Sequence, residues 1–200
     1  MGLVSVKLGS SLKGDDPMQN KFVFSILLLC LAGLMASAQA AQSKLDDAPD
    51  FTAPAALAGK ETTVALADLL KKGPVVLYFY PAAFTSGCTV EAHEFAAAMP
   101  AFERLHTTVV GMSGDGISKL KQFSTSDCNS KFAVASDPGL KIAAQYGASH
   151  SSFGDYAERK TFVIASDGKI LEVIEGVAPG DHAKLALETL TNAAGAKPNL

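Results

Sequence analysis

Cys88 is the residue whose setting first suggests chemistry. It lies in FYPAAFTSGCTVEAHEF, Phe79 to Phe95, after a run of strand formers and before a run of helix formers. A thiol-disulfide exchanger would carry a second cysteine three residues away, but those places hold Thr85 and Glu91. A helix that begins near Ser86 or Gly87 puts Cys88 in its first turn. There, unpaired backbone N–H groups and the helix dipole favour an anion, and the thiolate is the nucleophilic form of cysteine. Thr85 can turn its hydroxyl toward the sulfur and toward a substrate oxygen. Pro81 opens the loop with a rigid φ and an apolar ring. Taken singly, a threonine before a helix is most often an N-cap, and a lone cysteine is commonly an inert small hydrophobe. Hydroxyl, thiolate and exposed amides together in one short loop point to a nucleophile.

The elements that must hold this loop are legible from periodicity. PVVLYFY, Pro74 to Tyr80, is a continuous β-branched and aromatic run, the pattern of a strand buried on both faces. After the loop, Glu91, Phe95, Met99 and Phe102 fall near one helical face, and Pro100 is expected to end or kink that helix. TTVVGMSG and FAVASD read as further strands, ISKLKQFSTSDC as a helix with Ile117, Leu120 and Phe123 in phase, and PGLKIAAQYG as a short helix opened by Pro138 and closed by Gly147. KTFVIASDGKILEVIEG gives two strands about Asp167-Gly168, a hairpin signal. PGDHAKLALETLTNAAG is an amphipathic helix. Upstream, TTVAL reads as a strand, LADLLKKG as a helical turn and QSKLDDAPDFTAPAALAG as an extended lead-in. Alternation followed by a hairpin predicts an α/β fold, a mixed central sheet with helices on both faces and a C-terminal hairpin plus helix. One domain over residues 41–200 accounts for these elements, with no internal repeat.

Residues 1–40 are of another kind. Lys21 precedes FVFSILLLCLAGLM, fourteen residues without a charge, and then small residues at alternate positions. That is the layout of a secretory signal peptide, with cleavage expected after Ala40 or Ala38. The charge-free run is short of the ~20 residues a membrane span needs. Leu29 before Cys30 fits a lipid-attachment site poorly. Met18 gives a compact start to the signal, so residues 1–17 read as an extension ahead of the true start. Residues 41–200 carry 14 Lys and Arg against 18 Asp and Glu, a formal −4. No basic cluster exceeds two residues, which argues against nucleic acid or anionic lipid as partner. Two cysteines remain there, Cys88 and Cys128, and export makes a disulfide between them permissible. His93, His106, His150 and His182 are scattered, a poor pattern for zinc.

YFYPAAFTSGCTVEAHEF resembles the active-site segment of the peroxiredoxins, Pro-x-x-x-Thr-x-x-Cys. Its Thr-x-Gly-Cys-Thr-x-Glu-Ala form resembles the Q-type branch, also called bacterioferritin comigratory protein, of the AhpC/TSA superfamily. RKTFVIASDGKI is similar to that family's Arg-x-Thr-Phe strand and hairpin, and the likeness covers most of residues 46–190. The resemblance implies a thioredoxin-like fold and a thiol-dependent peroxidase acting on hydrogen peroxide and organic hydroperoxides. It implies that Cys88 attacks the peroxide, that Thr85 hydrogen-bonds peroxide and thiolate, and that Pro81 shields the site from water. It implies that Arg159 holds the thiolate and the charge developing on the leaving oxygen. The cysteine carries the redox chemistry, so no metal, haem or flavin is implied. A thioredoxin-like or other thiol reductant and a monomeric state follow from the same resemblance.

The chain departs from the branch at the second cysteine. Many Q-type members carry it five residues after the first, where this chain has His93, a residue that could tune the site but is not counted as catalytic. Others carry it on the following helix near Ser124, a turn before Cys128. Three readings stand at this point: resolution by Cys128 within the chain, a single-cysteine peroxidase reduced by an outside thiol, and a static disulfide-stapled binding module. The polar cluster Ser124 to Ser126, with Asn129 and Ser130, predicts a helix end able to fray.

Overall fold

The computed structural model describes residues 47–150 and 156–195. The expectations for residues 1–40, signal peptide, extension and start at Met18 included, lie outside the described residues.

Strand β3 (Val75–Phe79) lies inside the sheet, and all five of its residues are buried. It pairs in parallel with β4 (Thr108–Ser113), which pairs in parallel with β5 (Ala133–Ser136). On its other side it pairs antiparallel with β8 (Lys160–Ile164), which forms the expected hairpin with β9 (Ile170–Glu175). In the turn, Gly168 takes φ 88°, a left-handed conformation that glycine adopts without a Cβ penalty. A hairpin of β1 (Thr52–Leu57) and β2 (Lys60–Ala65) completes the far edge, β1 pairing antiparallel with β5. The order is β2-β1-β5-β4-β3-β8-β9, a mixed seven-stranded sheet. A separate pair, β6 (Ser149–His150) and β7 (Tyr156–Ala157), lies just before β8.

Alternation along β3 divides the core in two. Val76, Tyr78 and Tyr80 join Phe95, Met99, Phe102, Leu120, Phe123 and Leu190 on one face. That face is covered by α2 (Ser86–Arg104), α3 (Ile117–Ser126) and α5 (His182–Gly195). Val75, Leu77 and Phe79 join Leu66, Leu140, Ala143, Tyr146 and Phe162 on the other, covered by α1 (Leu66–Leu70) and α4 (Lys141–Gln145). Both faces are apolar, which is why β3 shows no polar alternation. Tyr78 needs room that only glycine leaves across the sheet: a Cβ on Gly111 would lie 2.8 Å from its hydroxyl oxygen.

Two expectations need correction. The lead-in is not merely extended: Thr52–Leu57 is a paired strand, with Ala53, Ala55 and Ala56 buried against its neighbours. Pro100 does not end α2, which continues to Arg104 with Pro100 on its exposed side. Among the described residues no helix is long and apolar enough to cross a membrane.

Candidate active site

The site is built where β3 gives way to α2. Tyr80 N–H still bonds Met112 O at 3.0 Å, so the chain leaves the sheet at Pro81. Ala83 N–H then donates to Asp115 Oδ2 at 2.7 Å. Asp115 is itself fixed by Ser113 Oγ at 3.0 Å and by Lys119 Nζ at 2.7 Å. One carboxylate from the β4–α3 connection thus pins the loop that carries the motif. Phe84 sits at φ 67° with its ring edge-on to Phe123, and this left-handed residue turns the chain into α2.

Thr85 is the N-cap residue of α2 and lies at φ −83°, ψ 148°, without a side-chain cap bond. Its hydroxyl donates to Ala82 O at 2.9 Å. In this state Thr85 closes the loop onto itself, and its oxygen keeps lone pairs for a further donor. Cys88 occupies the first turn, as expected from the sequence, and is 1% exposed. The first-turn amides of α2 have no helical acceptor, so partial positive charge is concentrated around the sulfur.

Arg159, between β7 and β8, enters from the strand next to β3. Its Nη2 donates to Cys88 Sγ at 3.3 Å, and its Nη1 pairs with the Glu91 carboxylate. Gly87 leaves the space for this approach: a Cβ there would lie 3.2 Å from Arg159 Nη2 and 3.4 Å from the Pro179 ring. Burial works against the Arg159 charge, but Glu91 and Cys88 together hold it on and move its pKa up. A guanidinium with one fork on a carboxylate and the other on a sulfur is held in orientation as well as charge.

Behind Arg159 stands a second layer that sequence reasoning did not assign. Glu91 is fully buried one helical turn after Cys88, a spacing that puts both on one face. His182, the first residue of α5, is also fully buried. Its Nδ1 lies 2.9 Å from Thr161 Oγ1 and 3.7 Å from Glu91 Oε1. Burial pushes the Glu91 carboxyl up to about 8, against the pull of Arg159. Burial and the Arg159 charge push His182 down to about 4. Near neutral pH, then, His182 is neutral and Glu91 retains much of its proton. Glu91 was legible from its spacing; His182, brought in by the last helix, carried no local signal.

These two groups give stability a pH signature. From about 4.5 to about 8 the folded chain holds the Glu91 proton that the unfolded chain has released, so stability falls as pH rises. From about 4 to 6.5 the unfolded chain protonates His182 and the folded chain does not, so stability rises with pH. The two slopes offset each other where they overlap. A net decline on the order of 1–2 kcal/mol remains between pH 6.5 and 8. Urea midpoints across this range are expected to fall in the wild type and to stay level in Glu91→Gln.

Cys128 is buried in the same core cluster as Cys88, and neither is in a disulfide. Burial, then the neighbouring Asp127 charge, pushes the Cys128 thiol well up. Ser124 is fully buried; it accepts from Gly59 N–H at 2.9 Å and donates to Lys121 O at 2.8 Å. Its role is to tie α3 to the β1–β2 turn. His93 is exposed on α2. Among the described residues no cluster of three or more His, Cys, Asp or Glu is placed to hold a metal.

The AhpC/TSA family model matches residues 45–173. A putative peroxiredoxin from Mycobacterium tuberculosis is 40% identical over 128 residues, 62% of this chain and 82% of that protein. A putative peroxiredoxin of the bcp type from Helicobacter pylori is 36% identical over 132 residues, 64% of this chain and 86% of that protein. Among solved structures, peroxidoxin BcpB from M. tuberculosis superposes with a TM-score of 0.67 at 37% identity, covering 74% of this chain and 95% of its own. The matched span holds the pinned loop, the buried Cys88 and its arginine, and the chain belongs to the AhpC/TSA family, a thiol-dependent peroxidase on the thioredoxin-like fold of the Q-type peroxiredoxins.

Proposed function

We propose that this chain reduces hydrogen peroxide and organic hydroperoxides through a sulfenic acid on Cys88 that Cys128 of the same chain resolves. The observation that carries the first step is the 3.3 Å bond from Arg159 to Cys88 Sγ. The thiolate attacks the terminal oxygen of the peroxide, and an S–O bond forms as the O–O bond breaks. The other oxygen leaves with a growing negative charge and takes a proton to become water or an alcohol. Arg159 and the free amides of α2 lie where that charge appears, and fixed donors contribute most where charge develops. In this reading Thr85 accepts from or donates to the peroxide, and the Pro81 ring screens the sulfur from bulk water.

Two observations support Cys128 as the resolving residue: it shares the Cys88 core cluster, and it lies just past the end of α3. A thiol condensing with a sulfenic acid releases water and leaves a disulfide. A thioredoxin-like dithiol would return both sulfurs to the reduced state, and the enzyme would work as a monomer. The charge-free run after Lys21 supports export, to the periplasm or beyond. The cycle is tested by steady-state peroxide consumption with thioredoxin and its reductase. Cys128→Ser is expected to keep the stoichiometric oxidation of Cys88 and to lose repeated turnover. Full turnover in Cys128→Ser would instead make this a single-cysteine enzyme served by an outside thiol.

A further inference from the structure

One hydrogen bond joins the neighbours of the two cysteines. Thr89, the residue after Cys88, donates its hydroxyl to Asp127 Oδ1 at 2.6 Å, and Asp127 is the residue before Cys128. The other Asp127 oxygen accepts from Ser126 at 2.5 Å. Asp127 is 7% exposed, so this is a shielded, charge-assisted contact between the first turn of α2 and the end of α3. On the α3 side the chain turns sharply. Asn129 and Ser130, directly after Cys128, both lie at positive φ, 48° and 60°, a region disfavoured for residues with a Cβ. The backbone closes the helix end locally: Asp127 and Cys128 N–H both donate to Phe123 O at 3.1 Å, Ser130 N–H to Ser124 O at 2.9 Å and Lys131 N–H to Cys128 O at 2.9 Å.

We propose that Thr89 and Asp127 form a latch that holds the two cysteine segments in their reduced arrangement and sets the lifetime of the Cys88 sulfenic acid. This rests on Cys128 being the resolving residue. For resolution, the Cys128 sulfur gives an electron pair to the Cys88 sulfur, the S–O bond breaks, and the hydroxyl leaves with the thiol proton as water. Both sulfurs are buried, so a segment must come away before a bond with disulfide geometry can form. The latch is the side-chain bond that such a release has to break. Asp127 acts twice, since its charge together with burial also disfavours the Cys128 thiolate until the segment has left. While the latch holds, the sulfenic acid is open to a second peroxide, which adds an oxygen to give sulfinic acid and releases water or alcohol. Thr89 and Asp127 are therefore positioning residues. Their effect falls on the partition between disulfide and sulfinic acid, not on the first oxidation.

The test uses the full chain with Cys30→Ser, reduced and then exposed to graded hydrogen peroxide, with intact mass reading both products. Loss of two hydrogens marks the disulfide, and gain of two oxygens marks sulfinic acid. Thr89→Val removes the donor at nearly constant shape, and it is expected to lower the sulfinic-to-disulfide ratio on the order of tenfold, the scale of one hydrogen bond to a charged group. Asp127→Asn shifts the ratio the same way. Thr89→Ser keeps the hydroxyl and restores the wild-type ratio, which loosened packing alone would not do. The rate of first oxidation stays at the wild-type value in all three. Equal ratios in wild type and Thr89→Val, or in Thr89→Val and Thr89→Ser, overturn the latch while leaving resolution by Cys128 standing. A wild type that forms no disulfide and matches Cys128→Ser overturns both.

Discussion

Cys88→Ser abolishes peroxide reduction, with a residual rate at the level of the uncatalysed reaction. Serine fits the space: Cys88 is packed at the base of α2 and the replacement is slightly smaller, so the fold and the Arg159–Glu91 pair are expected to survive. What is lost is the nucleophile. A serine hydroxyl stays protonated near neutral pH, and its oxygen cannot take up the peroxide oxygen as a sulfur does. The loss is therefore many orders of magnitude, measured as peroxide consumption per enzyme under single-turnover conditions. Full activity in Cys88→Ser would end the mechanism.

Arg159→Ala is expected to slow the oxidation of Cys88 by about 10²–10³, the range seen when one donor to a developing oxyanion is removed. The same change takes from the fully buried Glu91 the guanidinium it pairs with, and stability should fall as well where Glu91 is ionised, above about pH 8. Arg159→Lys separates the two effects. It keeps a charge but has a single ammonium where the guanidinium reaches the sulfur and the carboxylate at once. A loss of about tenfold is expected for it. Stopped-flow rates at substoichiometric peroxide read this directly, with urea midpoints as the control for folding. An Arg159→Ala rate within twofold of wild type would remove Arg159 from the chemistry.

The sequence carried the site's centre further than its surroundings. β3 was legible because both of its faces are buried and every residue is apolar or aromatic, and the start of α2 because Thr85-Ser86-Gly87 precedes a helical face. β1 was not, since TAPAAL has small residues and a proline where a strand usually shows branched ones. Its alanines are small because β1 packs closely, with all three at 1% exposure or less. Of the two effects expected of Pro100, ending the helix does not occur, since Pro100 lies on the solvent side of a long helix held by its other face. The place of the Thr85 hydroxyl depends on the left-handed turn at Phe84, a conformation an aromatic residue gives no reason to expect. Glu91 could be found by spacing, but His182 and the Thr89–Asp127 bond are made by packing between distant segments, which no local pattern encodes.

Intact mass of the reduced chain before and after one equivalent of hydrogen peroxide decides whether the cycle uses two cysteines. With Cys30→Ser in place, the chain is expected to lose two hydrogens, with peptide mapping that links Cys88 to Cys128. Cys128→Ser is expected to gain one oxygen instead. A stable gain of one oxygen in the chain that retains Cys128 would rule out resolution by Cys128.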